Sequence, residues 1–135
     1  SLGHATGDLV LREIAARLKR FARPEDRVAH LGGDEYLMLI GSDPSAEDAA
    51  IFSERLQVSI GEPCRMDGRE ATVSSSIGIA LYPEHGPIAA LIANAEAAMR
   101  SAKSGGGAGY AFFEERMTSG SGRPASAAAD ASALR

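Results

Sequence analysis

The sequence predicts one α/β domain whose sheet contains antiparallel pairs of strands. Amphipathic helical segments recur along the chain, and short β-compatible runs come in pairs around glycine-containing turns. No apolar run approaches the roughly 20 residues that a membrane-spanning helix needs. With 135 residues, the chain has the length of a domain with a single core. We therefore expect the element order α-ββ-α-ββ-α-β, without an internal repeat.

Three amphipathic helices are predicted, each with a recognisable start or stop. The first begins at Asp8, an N-cap candidate, and ends before Pro24, which cannot continue a helix. Its apolar residues recur every three or four positions, which leaves Arg17 on the polar side. The second helix opens after residues 43–45, and the third begins around Pro87.

Short β-compatible runs predict two hairpins and a last strand. Residues 27–31 and 36–40 flank a glycine-rich turn and form the first hairpin. Residues 64–73 form the second, and its second strand is expected to continue to residue 82. Residues 110–113 form the last strand.

The composition changes after residue 117 to serine, glycine, alanine and proline. This change predicts a domain over residues 1–117 and a linker or tail over residues 118–135, leading to another domain. Within the tail, residues 125–134 are expected to form at most a weak helix outside the core, because they offer little apolar surface to bury.

The charge and the cysteine content exclude several classes of protein. A formal net charge of −4 and an isoelectric point near 5.3 argue against a nucleic-acid-binding protein, which normally carries a basic stripe. They are compatible with a nucleotide ligand, because a phosphate pocket needs only one or two well-placed cations. The single cysteine, Cys64, excludes an internal disulfide and a multi-cysteine zinc site, and it favours a reducing compartment.

The turn Gly32-Gly33-Asp34-Glu35 carries the residue types of a phosphate and metal site. Its glycines allow a tight turn and leave the backbone open to a phosphate, and its adjacent carboxylates offer the oxygen ligands that Mg²⁺ prefers. The same residues are also typical of a plain polar hairpin turn, since glycine and aspartate are common in turns. The turn alone leaves both interpretations open.

Together with its flanks, this turn resembles the signature of the GGDEF, or diguanylate cyclase, family. The flanking segments are residues 1–11, the Arg23-Pro24-Glu25-Asp26 element, residues 72–80 and residues 95–103, in the family's order and at its spacings. The resemblance extends from Ser1 to about residue 117. Ordered segments at matching spacings are far more specific than the turn alone.

The resemblance implies a ferredoxin-like, nucleotidyl-cyclase-like sheet flanked by helices. In the family, two domains face each other as a homodimer, and each brings one GTP to the shared interface. Each 3′-hydroxyl attacks the α-phosphate of the other GTP to give cyclic di-GMP, while Mg²⁺ or Mn²⁺ stabilises the phosphate charge. The resemblance thus implies a bacterial signalling enzyme with GTP as substrate, and with cyclic di-GMP as product and inhibitor. It also implies a cytoplasmic location, in a parent protein that is soluble or attached to a membrane.

Carried over residue by residue, the resemblance puts the catalytic positions in the hairpin. Asp34 matches the metal-binding carboxylate, and Glu35 matches the neighbouring acid needed for turnover. Gly32 and Gly33 match the positions where the backbone lies against the nucleotide.

Further residues match ligand-binding positions, and each also has a plain structural explanation. Asp8 matches the acid that reads the guanine edge, and it is also the predicted N-cap. Lys103 matches a phosphate-contacting lysine, or it is an exposed cation at a helix end. Arg23 and Asp26 match the site where the product binds and inhibits, or they form a surface ion pair.

Several positions depart from the family's usual residues. His30 replaces an arginine two residues before the glycines, and Tyr36 replaces the phenylalanine that ends the motif. After the third helix, Gly107 and Ala108 stand in place of arginine and asparagine, which removes a phosphate contact, and Arg100 replaces a tyrosine. These changes bear on activity and not on the predicted fold.

The family's first strand, which supplies a second metal-binding aspartate, would precede Ser1. We therefore expect the chain to be a fragment that lacks this strand and is not catalytically competent alone. The strand is central in the family's sheet, so its loss would expose two unpaired strand edges. The tail resembles, in composition, the linker to a phosphodiesterase (EAL) domain, and a sensor domain is the other expected attachment.

Different functions remain open at this point. The first is a diguanylate cyclase. The second is a non-catalytic GGDEF module that binds GTP or cyclic di-GMP and controls an attached EAL domain. A third is a ferredoxin-like protein-interaction domain without a nucleotide. Product formation from GTP separates the first from the second, and nucleotide binding separates the second from the third.

Overall fold

The described residues (3–66, 68–119 and 131–134) form a five-stranded mixed sheet flanked by helices in a computed structural model. The helices are α1 (Gly3–Phe21), α2 (Ala46–Ile60), α3 (Leu91–Ser104) and α4 (Arg116–Ser119), with a 3₁₀ turn at Ile88–Ala90. The strands are β1 (Arg27–Gly32), β2 (Glu35–Leu39), β3 (Cys64–Met66), β4 (Arg69–Ala71), β5 (Ser76–Ala80), β6 (Gly109–Phe112) and β7 (Ala131–Leu134). Within this described part, no helix is both long enough and apolar enough to cross a membrane.

The strand order in the sheet is β1-β2-β7-β5-β6, and β3-β4 forms a separate hairpin. β1 and β2 are antiparallel, as are β3 and β4. β7 pairs in parallel with β2 and β5, and β6 pairs in parallel with β5. A parallel pair needs a crossover, and α3 connects β5 to β6 while packing on both strands. The predicted α/β class and both predicted hairpins are confirmed.

The second hairpin ends earlier than the sequence pattern predicts. The sequence predicts one strand that runs from this hairpin to residue 82, but β4 ends at Ala71 and β5 begins at Ser76 in the other sheet. Between them, the carbonyl oxygen of Ser75 accepts hydrogen bonds from the Gln57 side chain and from the Gly109 backbone N–H, both at 3.1 Å. These donors belong to α2 and to the start of β6, so the chain leaves the hairpin and joins the main sheet here.

Helix α1 begins at Gly3, upstream of the predicted N-cap Asp8, which lies exposed within the helix. The N-cap prediction for Asp8 is therefore wrong. The buried residues Val10, Ile14 and Leu18 hold the helix against the core. Extending a helix that is already held in place costs little, because no new nucleus has to form.

Arg17, predicted on the polar side of α1, is only 5% exposed. It pairs with Glu13 at 3.0 Å. Its guanidinium also donates hydrogen bonds at 2.7–3.1 Å to carbonyl oxygens at and beyond the end of α2, those of Ser59, Ile60, Glu62 and Pro63. The last carbonyls of a helix lack partners inside the helix, and an arginine offers several donors in one plane. The prediction for Arg17 is wrong because these acceptors come from a different helix.

Strand β7 occupies the centre of the sheet. The sequence predicts no strand there, and it predicts that two central strand edges are unpaired. Residues 131–134 pair with β2 on one side and with β5 on the other, and residues 120–130 lie outside the described part of the chain. The helical expectation is wrong for residues 131–134, and the two central edges are paired. The reason is that backbone N–H and C=O groups in the middle of a sheet require partners, and this segment provides them.

Helix α3 lies directly against β5 at Gly78. A Cβ on Gly78 would collide with the carbonyl oxygen of Ala95 and with the backbone nitrogen of Met99. Both of these α3 residues are buried. The missing side chain therefore allows a close approach of helix and strand, and it sets their separation at Ala95 and Met99.

We expect Gly78→Ala to lower the free energy of unfolding by about 3 kcal/mol, because the added methyl group meets backbone atoms that cannot rotate away. Gly7→Ala is the matched control, since a Cβ on Gly7 in α1 meets no atom within 4 Å. The same substitution there should raise the free energy of unfolding by about 0.5–1 kcal/mol. Urea unfolding followed by circular dichroism measures both, and equal effects would contradict the close contact between α3 and β5.

Candidate active site

The turn between β1 and β2 consists of Gly33 and Asp34, flanked by the paired residues Gly32 and Glu35. Gly32 has a φ of 129° and Gly33 a φ of 53°, backbone conformations that favour glycine. A Cβ at either position would meet no atom within 4 Å, so the space beside the turn is open. The backbone conformation thus requires both glycines, and the open space leaves the turn accessible to a ligand.

A cavity of about 320 Å³ brings Asp34 of this turn together with Lys103 of α3. The rest of its lining comes from α1, from the segment before β5 and from the loop after α3: Val10, Leu11, Ile14, Val73, Ser74 and Gly107. Ser76 Oγ holds that loop by donating a hydrogen bond to the carbonyl oxygen of Gly107 at 3.0 Å. A carboxylate and an ammonium group in a mostly apolar cavity suit an anionic ligand with a bound cation. The ammonium group attracts the anion, and the carboxylate attracts the cation.

The other predicted nucleotide-contacting residues do not line this cavity. Asp8 is exposed on α1, three residues before Leu11, so it is a surface neighbour of a lining residue. The structure therefore brings Asp34 and Lys103 together and places Asp8 beside the α1 wall of the cavity. The turn residues outside the lining are Gly32, Gly33 and Glu35.

The pKa of Glu35 is raised, first because the carboxyl group is partly buried, and then because the carboxylates of Glu96 and Asp34 lie near it. Arg100 acts in the opposite direction and lowers this pKa. The folded protein thus holds the Glu35 proton more tightly than the unfolded chain does. Above the raised pKa the charged carboxylate costs stability, and this cost disappears as the pH falls towards the ordinary pKa of a glutamate.

The donor set of the cavity determines what kind of metal ion it could hold. Among the residues described here, no group of three or more His, Cys, Asp or Glu side chains is arranged to hold a metal ion. Asp34 contributes the one carboxylate in the described lining. Mg²⁺ is commonly bound through one or two carboxylates together with substrate phosphates. The residues present therefore fit such an ion together with a phosphate-bearing ligand.

A larger cavity, of about 560 Å³, is lined by the end of α1, by α2 and by β5, and it contains Arg23. The Arg23 side chain is 51% exposed, and its Nη2 donates a hydrogen bond to Ser42 Oγ at 2.8 Å. Arg55 of α2 lines the same cavity. Sequence reasoning missed Arg55, because no local pattern shows that α2 brings it to the cavity of Arg23. Two arginines in one cavity offer donors for a phosphate-bearing ligand, and Asp43 and Asp48 in the same lining balance their charge.

Asp26, predicted beside Arg23 as a ligand-binding residue, has a side chain with no exposed surface. Its oxygens accept hydrogen bonds from the backbone N–H groups of Arg23 and Gly41, each at 2.9 Å, and lie 3.4 Å from Arg23 Nε. Burial alone would raise the pKa of Asp26, but these backbone bonds and the arginine charge outweigh it, and the pKa is lowered. Asp26 therefore holds together the loop that presents Arg23.

We expect Asp26→Asn to lower the free energy of unfolding at pH 7 by about 2 kcal/mol, because hydrogen bonds to a charged acceptor become hydrogen bonds to a neutral one. A lowered carboxyl pKa stabilises the fold above the ordinary pKa of about 3.9, and this contribution is lost as the pH falls through the lowered value. Urea unfolding at pH 7 and pH 2.5 measures the difference.

The control for Asp26 is Glu25→Gln, the same loss of charge on an exposed neighbour. It should change stability by less than about 0.5 kcal/mol at either pH. A difference between Asp26→Asn and the unsubstituted protein that stays constant from pH 7 to pH 2.5 would show that the Asp26 charge does not stabilise the loop.

Comparison with known proteins identifies the family of this fold and site. The family model for "Diguanylate cyclase, GGDEF domain" matches residues 1–108. The bifunctional diguanylate cyclase/cyclic di-GMP phosphodiesterase MucR of Pseudomonas aeruginosa is 46% identical over 116 residues, which cover 85% of this chain and 17% of MucR. The diguanylate cyclase TpbB of the same organism is 45% identical over 104 residues, which cover 76% of this chain and 24% of TpbB.

A third relative, the cyclic di-GMP phosphodiesterase NbdA of Pseudomonas aeruginosa, is 35% identical over 118 residues, which cover 87% of this chain and 15% of NbdA. The chain thus spans less than a quarter of the length of each of these relatives.

Solved structures agree with the family match. A shortened TpbB (YfiN) that comprises only the GGDEF domain superposes with a TM-score of 0.83 at 40% identity, over 87% of this chain and 70% of that chain. An EAL/GGDEF domain protein from M. capsulatus superposes with a TM-score of 0.73 at 35% identity, over 84% of this chain and 74% of that chain. The chain belongs to the diguanylate cyclase, GGDEF domain family.

Proposed function

We propose that this domain, within the protein that carries it, condenses two GTP molecules into cyclic di-GMP. The observation that carries the proposal is the cavity of about 320 Å³ in which the Asp34 carboxylate and the Lys103 ammonium group lie beside an open glycine turn. The named activities of MucR and TpbB are consistent with it. Because GTP is the substrate, we also propose a cytoplasmic location for the domain.

The reaction consists of two phosphoryl transfers. In each, the 3′-oxygen of one GTP forms a bond to the α-phosphorus of the other, the bond to the departing pyrophosphate breaks, and the hydroxyl proton leaves. Negative charge accumulates on the phosphate oxygens, so catalysis depends on cations and donors directed at them. Lys103 supplies a cation, and the backbone of Gly32 and Gly33 is free of side chains that would block a phosphate.

The chain's own carboxylates have different roles in this proposal. Asp34 would hold a divalent ion, Mg²⁺ or Mn²⁺, which when bound supplies Lewis-acid stabilisation of the phosphate charge. Glu35 lies next to it with a raised pKa, which makes it a better proton acceptor than an ordinary carboxylate. Asp8, beside the α1 wall, presents a carboxylate that can accept from the guanine N1–H and N2–H₂ groups.

The size of the cavity supports a homodimer. Ligand pockets of roughly 300–1,000 Å³ hold one small molecule, and this cavity lies at the lower end of that range. Two GTP molecules therefore require two copies of the domain, each bringing one. The larger cavity with Arg23 and Arg55 is our proposed binding site for the product, which carries two phosphates and inhibits the domain.

A second candidate function is a non-catalytic module that binds GTP or cyclic di-GMP and controls an attached EAL phosphodiesterase domain. The observation that favours it is Gly107, which lines the small cavity at a position where the family usually has an arginine. The cavity therefore has one cation fewer for the transferring phosphate. MucR and NbdA carry the word phosphodiesterase in their names, which supports an EAL domain as the attached domain.

We expect the full-length protein to convert GTP to cyclic di-GMP in the presence of Mg²⁺, and Asp34→Asn to lower the rate about 100-fold or more, as expected for loss of a group that stabilises transition-state charge. Glu35→Gln should also lower it. Glu47→Gln, on the exposed first turn of α2, removes one carboxylate that lines neither cavity and should leave the rate unchanged. Chromatography of the nucleotides measures the product.

The outcomes of this experiment separate the candidate functions. Product that disappears on Asp34→Asn supports the cyclase. GTP binding by calorimetry without any product from the unsubstituted protein supports the regulatory module. A protein that binds neither GTP nor cyclic di-GMP would contradict both.

Arg23→Ala should weaken inhibition by added cyclic di-GMP, raising the half-inhibitory concentration about 10-fold or more, which corresponds to one charge-assisted hydrogen bond. Arg55→Ala should act in the same direction. Arg65→Ala, an exposed arginine on the β3–β4 hairpin, is the matched control and should leave inhibition unchanged. Initial rates at increasing product concentration measure the effect, and unaltered inhibition in Arg23→Ala would place the product elsewhere.

A further inference from the structure

The two positions at which the β1–β2 hairpin departs from the family's usual residues are in direct contact. His30 and Tyr36 pair across the two antiparallel strands. Their rings are stacked, with centroids 4.7 Å apart and an angle of 19° between the planes. Side chains opposite each other in an antiparallel pair lie on the same face, so each contributes to the surroundings of the other. The two departures therefore form one structural unit.

The His30–Tyr36 pair forms a hydrogen bond at each of its two ends. His30 Nε2 lies 2.7 Å from the carbonyl oxygen of Gly33, the first residue of the turn. A carbonyl oxygen only accepts, so Nε2 carries a proton and donates it. At the other end, the Tyr36 hydroxyl donates a hydrogen bond to the carbonyl oxygen of Leu11 at 2.8 Å. Leu11 belongs to α1 and lines the cavity that contains Asp34.

The glycine turn between β1 and β2 has few other restraints on its backbone conformation. Gly32 and Gly33 both have positive φ values, and glycine has more backbone freedom than any other residue. The register of the β1–β2 pair is also irregular between His30 and Gly32. The hydrogen-bond ladder is therefore not regular at the end of β1 beside the turn. Without a further contact, the turn that carries Asp34 could adopt several conformations.

We propose that His30 is a positioning residue for the Asp34 carboxylate: by donating to the Gly33 carbonyl while stacked on Tyr36, it holds the glycine turn in one conformation relative to α1. Tyr36 is 2% exposed, so it provides a rigid surface for the imidazole ring. Its hydroxyl bond to Leu11 connects the turn to the wall of the same cavity. The inference rests on the proposed cyclase function only where it concerns turnover.

The test separates the hydrogen bond from the ring stack. His30→Phe keeps an aromatic ring over Tyr36 and removes the donor, whereas His30→Gln keeps a donor close to the position of Nε2 and removes the ring. We expect amide hydrogen exchange at Asp34 and Glu35 to become about 3–10-fold faster in His30→Phe, which corresponds to one neutral hydrogen bond. In His30→Gln the exchange rates should stay within about 2-fold of those of the unsubstituted protein.

The amides at the centre of β5 provide the control, because they report global unfolding, and exchange at Asp34 and Glu35 should accelerate more than exchange in β5 does in His30→Phe. Exchange at Asp34 and Glu35 that is equally fast in the unsubstituted protein and in His30→Phe would overturn the proposal. Equal acceleration in His30→Phe and His30→Gln would overturn it as well, since the donor would then be irrelevant.

Steady-state kinetics of the full-length protein provides a readout that a purely structural role would not change. His30→Phe should lower kcat about 3–10-fold with a KM for GTP within about 2-fold, because the nucleotide-binding groups remain and only the Asp34 position is relaxed. His30→Gln should restore kcat. A raised KM with unchanged kcat would show that His30 contacts the nucleotide instead, and would overturn the proposal.

The two sets of measurements distinguish the failure of this inference from the failure of the proposed function. Hydrogen exchange requires no nucleotide. If the exchange differences appear in a protein that makes no cyclic di-GMP, the proposed function fails and the positioning role of His30 stands. If GTP turnover depends on Asp34 but His30→Phe changes neither exchange nor kcat, the function stands and the inference fails.

Discussion

The close contact between α3 and β5 is the constraint on which the candidate site depends. Because Gly78 has no side chain, the backbone of α3 approaches the strand at Ala95 and Met99. The same helix carries Lys103 into the cavity, and it places the charges of Glu96 and Arg100 near Glu35. A wider separation of helix and sheet would move all of these groups together. The charges that act on Glu35 of the hairpin thus depend on Gly78, which does not line the cavity.

The β1–β2 hairpin has a glycine turn with few steric restraints, and the residue Tyr36 beside this turn is bonded to α1. The turn needs glycine for its backbone conformation and leaves open space for a ligand. Immediately beside it, Tyr36 is buried and bonded to α1, and His30 bridges from that ring to the turn. Such a neighbour limits the conformations that a glycine turn can adopt, and a fixed conformation is what a carboxylate in a binding site needs.

The charged residues of the predicted product site have separate structural roles. Asp26 is buried, and its lowered pKa reflects hydrogen bonds within the loop. Arg23 is half exposed and shares a cavity with Arg55. Sequence reasoning identifies the Arg23–Asp26 pair from its spacing but assigns ligand contact to both, since spacing does not reveal which side chain the fold buries. The arginines are therefore the residues available to a ligand, and the aspartate supports them.

Features that depend on neighbours along the chain were determined by the sequence itself. They include both hairpins, the family signature around Gly32–Glu35 and the start of α2, where Ser45 and Asp48 form a reciprocal capping box. Such features need only a few adjacent residues, so local rules predict them.

Other features exist only once distant segments meet, and the tertiary structure alone decided them. Arg17 is buried because the end of α2 presents several carbonyl oxygens to its guanidinium. Strand β7 forms because β2 and β5 offer open backbone edges on both sides. Asp34 and Lys103 share a cavity because α3 packs on the sheet beside the hairpin. In each case the deciding energy is a hydrogen bond or a packing contact between residues far apart in sequence, which no local pattern contains.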